Sequence, residues 1–253
     1  MRLRVLGSSS SVPRPARACS GYLLQSRNAN IALEFGSGAF ANLRCAIEYP
    51  LLDALVVSHM HADHFLDVIA LRYALTYGPL RRAERLPLWL PPGGAAMLRR
   101  LCAAFKNEGS GDFLDGVFSV GEYDPSGRVE VGDVRLVFAP ARHFVNAFAI
   151  RADCETSSVT YSGDTAPCEA VVELARGSEL FLCEATLGLR TEGEARGHSS
   201  ASEAGDMATR AGVRRLALTH YGTDCAPEAL VEAAQGAFAG PVCVVDDGME
   251  FDA

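Results

Sequence analysis

His59-Met60-His61-Ala62-Asp63-His64 decides how the rest of this 253-residue chain is read. It follows the apolar run Leu51-Leu52-Asp53-Ala54-Leu55-Val56-Val57 and holds three of the six histidines in the sequence. On an extended segment, residues two apart project to the same side, so His59 and His61 present their imidazoles to one point. Asp63 and His64 fall where the chain turns into a helix expected over 66–76, which swings them toward a second point nearby. Imidazole nitrogen and carboxylate oxygen are donors that zinc and similar borderline metals accept at about 2.0–2.2 Å. A polar loop capping the next helix through Asp63 is the alternative reading, and it leaves the density of imidazoles unexplained.

Outward from this segment, the other chemistry-bearing residues stand at the ends of strand-like runs. His143 follows Val134-Arg135-Leu136-Val137-Phe138-Ala139-Pro140; Asp164 lies in Tyr161-Ser162-Gly163-Asp164-Thr165; His220 ends Leu216-Ala217-Leu218-Thr219-His220; His198 sits in Gly197-His198-Ser199-Ser200 ahead of a helix. Taken singly, each also fits a buried or solvated histidine, or ordinary turn chemistry. Strand ends converging on one rim are how α/β enzymes build sites, because the sheet holds the loops rigid.

The remaining composition sets bounds. An apolar fraction of 49% supports a substantial core, and a net charge of −8 gives no general attraction to nucleic acid or anionic membrane. The start, Met1-Arg2-Leu3-Arg4-Val5-Leu6-Gly7, lacks the apolar segment that export requires, and no run of 18 apolar residues occurs. The expectation is a soluble, cytoplasmic protein. Eight scattered cysteines without a Cys-x-x-Cys pair read as reduced thiols, mostly small buried apolar groups.

No repeat or long linker divides the chain, so one domain over 1–253 is expected. Strands are expected over 2–6, 21–25, 31–35, 54–58, 87–90, 134–139, 147–152, 158–162, 180–183, 216–219 and 242–246. Helical periodicity covers 39–47, 66–76, 94–105, 167–174, 201–211 and 227–237. Two sheets packed face to face with helices on both outer surfaces accommodate this pattern.

The series His59-x-His61-x-Asp63-His64, His143, Ser162-Gly163-Asp164-Thr165 and Leu218-Thr219-His220 resembles the successive metal motifs of metallo-β-lactamase-fold hydrolases. Leu6-Gly7-Ser8, Cys183-Glu184-Ala185-Thr186 and Gly197-His198-Ser199 resemble the ribonuclease Z and phosphodiesterase-like branch. The resemblance implies a four-layer αββα sandwich and two divalent metal ions, zinc first, with manganese or iron as alternatives. It also implies a ligand set: His59, His61 and His143 for one ion, Asp63, His64 and His220 for the other, Asp164 between them. His198 would protonate the leaving group, oriented by Glu184, and Asp63 would also orient the nucleophile.

Two such ions activate water at neutral pH and neutralise charge in the transition state. The expected reaction is phosphodiester hydrolysis on a small or short nucleotide-like ester. Hydrolysis of a carboxylic ester, lactone or thioester is the alternative on the same site. An iron redox enzyme or a non-catalytic scaffold lies further off. The tRNA-processing members carry a glycine- and proline-rich arm between the counterparts of His143 and Asp164, whereas only 20 residues separate those positions here. That departure, with the acidic charge, puts extended nucleic acid in doubt as substrate. Arg81, Arg82, Arg85, Arg99 and Arg100 form the basic clusters that either receive a phosphate or make a solvated face. Asp67 is expected to stand behind the metal ligands or cap its helix. No membrane partner is expected, and a homodimer is the expected assembly.

Overall fold

The computed structural model describes residues 1–105, 111–155, 157–190, 193 and 196–253. Strand alternation builds two seven-stranded sheets. The first comprises β1 (Arg2–Gly7), β2 (Gly21–Gln25), β3 (Asn30–Phe35), β4 (Ala54–Val56), β5 (Leu86–Leu90) and β6 (Phe118–Glu122) in that order. The second runs, from one edge, β7 (Arg128–Val131), β8 (Val134–Pro140), β9 (Phe148–Cys154), β10 (Ser157–Tyr161), β11 (Leu180–Glu184), β12 (Leu216–Thr219) and β13 (Val242–Val244). The chain then crosses back so that β14 (Glu250–Asp252) pairs antiparallel with β1. Each sheet is mixed: β3 to β6 and β10 to β13 are parallel, and the remaining pairs are antiparallel.

Period-2 patterning divides the core into three layers. Leu3, Val5, Tyr22, Leu24, Ile31, Leu33 and Val56 of the first sheet meet Leu136, Phe138, Ile150, Val159, Tyr161, Leu182 and Ala217 of the second. Tyr22 and Tyr161 pack ring to ring across this seam at 5.0 Å. Residues of opposite parity face outward: Leu6, Leu23, Leu55 and Leu88 pack under α1 (Ala39–Ala46), α2 (Ala62–Phe65), α3 (Asp67–Tyr77) and α4 (Gly94–Ala103). Phe181, Cys183, Leu216 and Leu218 pack under α5 (Glu169–Ala175), α6 (Ala201–Ala211) and α7 (Pro227–Gln235). The result is the expected αββα sandwich. The Ser200–Glu203 capping box starts α6, and Gly212, with φ +62°, ends it.

Three strands beyond the expected set, β6, β7 and β14, all lie at sheet edges. The turn after β4 coils at once into the short helix α2, so the helix expected from 66 is preceded by another turn carrying Asp63 and His64. All eight cysteines are free, but only Cys19, Cys102 and Cys183 are buried; Cys45 is exposed and four are half-buried, so the expectation of mostly buried thiols is corrected.

One irregularity positions the site. Gly21 pairs with Phe35 and Tyr22 with Leu33, which leaves Glu34 as the extra residue of a bulge, with φ +60°. The bulge breaks the alternation. Phe35 turns to the helix side, and the Glu34 side chain is buried beneath the histidine segment.

Candidate metal centre

Every chemistry-bearing residue singled out from the sequence comes to one end of the sandwich. The hexapeptide leaves the carboxyl end of β4, Asp164 that of β10, Glu184 ends β11, and His220 follows β12; His143 follows β8. Gly163 makes one of these turns possible. It has φ +58°, and a Cβ there would lie 2.8 Å from the Phe148 carbonyl oxygen.

Two donor sets share Asp164, and a third group joins Glu184, His198 and His220. In the first, His61 Nδ1 lies 3.2 Å from His59 Nε2 and 3.0 Å from His143 Nε2, with Asp164 beside them. In the second, Asp63 Oδ2 lies 3.1 Å from His220 Nε2 and 3.3 Å from His64 Nε2, again with Asp164. Asp164 joins the sets. Its Oδ2 stands 3.7 Å from His59, 3.4 Å from His64, 3.6 Å from His220, and 4.0 Å from both His143 and His198.

The first set contains three converging ring nitrogens, and one imidazole proton cannot satisfy two neighbouring lone pairs at once. Both ring nitrogens of His64 and Oδ1 of Asp164 are buried without a hydrogen bond of acceptable geometry. Such groups are costly to bury unless a cation completes them. The donors therefore fit divalent ions in both sets.

The electrostatics agree. Burial pushes the pKa of His59, His61 and His143 below the ordinary imidazole value, favouring the neutral form that binds metal. Burial opposes charge on Asp164 and Asp63 too, but the surrounding imidazoles outweigh it and hold both carboxyls below the ordinary range. Burial likewise opposes charge on His64, yet Asp164, Asp63 and Glu34 raise its pKa well above the usual value. Positive charge is favoured at this point, whether it is carried by a proton or by a metal ion.

Outer contacts fix the rings. His143 Nδ1–H donates to the Gly197 carbonyl at 2.7 Å, which turns Nε2 inward. The Thr186 hydroxyl, 2.8 Å from His220 Nδ1, donates to the His220 carbonyl at 3.0 Å and thus accepts from that ring nitrogen. His220 needs this support because its φ is +52°, a region a non-glycine residue rarely occupies. Its N–H donates to the Ser8 carbonyl at 2.9 Å. Glu34 accepts the Ser58 N–H at 2.9 Å through Oε1 and faces His64 Nδ1 at 3.5 Å through Oε2. Burial pushes its carboxyl pKa up. Glu34, Ser58 and Thr186 are contributors the sequence reading missed. A charged residue inside the apolar run Ile31-Ala32-Leu33-Glu34-Phe35 was the available signal for the first.

His198 lies outside both donor sets. Its Nδ1 is 2.8 Å from Glu184 Oε1. Glu184 is fully buried and accepts the N–H groups of Thr165 and Thr186, each at 2.9 Å. Burial disfavours the imidazolium of His198, but Glu184 outweighs it and raises the pKa. Ser11, His61, Ala62, Asp63, Asp164, Thr186, His198 and His220 line a cavity of about 320 Å³ over this arrangement.

Of the residues without a central role, Asp67 accepts the N–H groups of Gly38 and Phe40 and so caps α1, not its own helix. Arg81 and Arg82 are engaged by backbone carbonyls, and Arg99 by Asp112 and Asp115. Arg100 alone of the five borders a groove next to His61.

A β-lactamase-superfamily domain model matches residues 37–221. The chain belongs to that superfamily. It is 34% identical over 254 residues to the uncharacterized protein ML1173 of Mycobacterium leprae, covering 100% of this chain and 88% of that one. It is 26% identical to the probable metallo-hydrolase YhfI of Bacillus subtilis over the full length of both. The crystal structure of YhfI superposes with a TM-score of 0.88 at 23% identity, covering 99% of each chain. Ribonuclease Z of Ignicoccus hospitalis is 28% identical over 280 residues, 87% of each chain. This superfamily member is a metal-dependent hydrolase of the ribonuclease Z and phosphodiesterase-like branch. Among its described residues no helix is long and apolar enough to cross a membrane.

Proposed function

We propose that the chain, as one domain, hydrolyses a small or short nucleotide-like phosphodiester at a two-ion centre. The observation that carries this reading is Asp164 Oδ2 within 4.0 Å of ring nitrogens from five histidines, four in the donor sets and one, His198, held apart by Glu184. His59, His61 and His143 would hold one ion, Asp63, His64 and His220 the other, and Asp164 both; zinc suits this nitrogen-rich set, and manganese or iron tolerates it. Such ions supply an activated water near neutral pH and neutralise charge on the phosphoryl oxygens.

The chain's own groups do the rest. Asp63, which lines the cavity, orients the attacking water by accepting its hydrogen bond. His198, kept protonated by Glu184, donates from Nε2 to the departing alkoxide. A leaving-group acid of this kind suits a phosphodiester, whose alkoxide leaves poorly. The substrate is short because 143 and 164 are joined by little more than the β9–β10 hairpin, with no arm for a long nucleic acid. A cytoplasmic homodimer is the proposed setting.

Metal analysis of the purified protein, combined with assays on bis-p-nitrophenyl phosphate and p-nitrophenyl carboxylic esters, tests the reading. About two ions per chain and phosphodiester turnover are expected. Brisk ester cleavage with no turnover of any phosphodiester would replace this reading by the carboxylic ester, lactone or thioester alternative.

A further inference from the structure

A second hollow of about 250 Å³ opens beside His61, between the histidine segment, the start of α4 and the loop after His143. Met60 and Met97 contribute thioethers, and Val145 an apolar wall; Asn146 and Arg100 stand at its border. Met97 and Val145 are each 41% exposed, so apolar surface is left open directly against a candidate metal ligand. Neither Arg100 nor the Asn146 side chain has a hydrogen-bond or ion-pair partner among the described residues.

We propose that this groove is the subsite for a nucleobase of the substrate, with Met97, Asn146 and Arg100 as its specificity-determining residues. The inference deepens the phosphodiesterase reading and rests on it. Whatever fills the groove is attached close to the reacting phosphorus, because His61 is shared between groove and metal cavity. The volume is below the roughly 300–1,000 Å³ of sites for larger ligands, which suits one ring system.

The helix start offers little to a phosphate. The α4 start, which would otherwise attract a phosphate, has its Ala95 N–H already taken by the Glu122 carboxylate at 3.0 Å. Flat faces suit the two methionines, since thioethers pack favourably on aromatic rings. The unpartnered amide and guanidinium complement the acceptors on a base edge, whereas an acyl chain offers them nothing.

The test compares metal-loaded wild type with the exposed-site variants Met97→Ala, Asn146→Ala and Arg100→Met. The substrates share one leaving group: uridine and guanosine 5′-p-nitrophenyl phosphate, hexyl p-nitrophenyl phosphate and methyl p-nitrophenyl phosphate. Wild type should favour the nucleoside esters over the methyl ester by at least about tenfold in kcat/KM, and over the hexyl ester as well. Each variant should reduce the nucleoside-to-methyl ratio, with the double variant Asn146→Ala/Arg100→Met bringing it near one. Independently of turnover, equilibrium binding of uridine and guanosine 5′-monophosphate should weaken about tenfold in the double variant.

Preference for the hexyl ester, or ratios and nucleotide binding unchanged in the variants, overturns the subsite. Nucleotide binding that depends on the groove, without turnover of any of the four diesters, retains the subsite and instead refutes the phosphodiesterase reading.

Discussion

The two halves of the metal centre are built in opposite ways. From the first sheet come His59, His61, Asp63 and His64, four donors within six consecutive residues after β4. From the second come His143, Asp164, Glu184, His198 and His220, one or two at a time from loops spread over 78 positions. The compact half needs little besides the Glu34 bulge and the Ser58 turn beneath it. The dispersed half needs a network: Gly197 on His143, Glu184 on His198, Thr186 and Ser8 on His220. Local chain geometry orients donors cheaply when they are neighbours. Distant donors require buried polar contacts to hold each loop.

Variants break this comparison most sharply where the halves meet. Asp164→Asn weakens the oxygen shared by both sets, so bound metal should fall well below the wild-type content, by elemental analysis, and turnover should drop to background. Full metal content in that variant would remove Asp164 from its joining position.

Next in size, His198→Ala should lower phosphodiester turnover by about 10²- to 10⁴-fold with metal content intact. Metal loss there would make His198 a ligand instead. Glu184→Gln tests the same residue through its pH response. Glu184 raises the His198 pKa, so removing its charge lowers that pKa, and the alkaline limb of the kcat profile should move to lower pH. An unshifted limb would detach Glu184 from the proton donor.

Smaller again, Thr186→Val keeps the shape but removes the hydroxyl that holds the strained His220. Metal affinity, from competition with a chelator, should weaken about 10- to 100-fold, while the same measurement on a distant Thr76→Val control should not move. The smallest effect belongs to the link between the sheets: the Tyr22 hydroxyl meets Thr219 Oγ1, next to His220, at 2.7 Å in the buried seam. Tyr22→Phe should cost about 1–2 kcal/mol and lower Tm by a few degrees, with both ions retained. Loss of metal from the second set alone would show that this bond positions His220 as well as stabilising the seam.

Much of the fold was legible along the chain. Expected strands and helices lie close to the observed ones wherever a buried face imposes a period, as in β8, β9 and α6. What escaped were β6, β7 and β14, edge strands whose exposed residues, such as Glu122, Glu130 and Glu250, blur the alternation. At the site, the candidate donors were readable as histidines and an aspartate at strand ends, and the fold brings them together at one end of the sandwich. Glu34 and Thr186 were not, because their significance lies in what they touch.

By itself, then, the sequence determined the layers and named the candidate donors: alternation requires two buried faces per sheet, and clustered imidazoles suit a cation. Tertiary structure alone decided which outer contacts, from Glu34, Ser58 and Thr186, hold the candidate donors, and where an apolar groove opens beside them. Those depend on a bulge at Glu34, a left-handed turn at His220 and contacts between loops more than a hundred residues apart, and no local period records such distances.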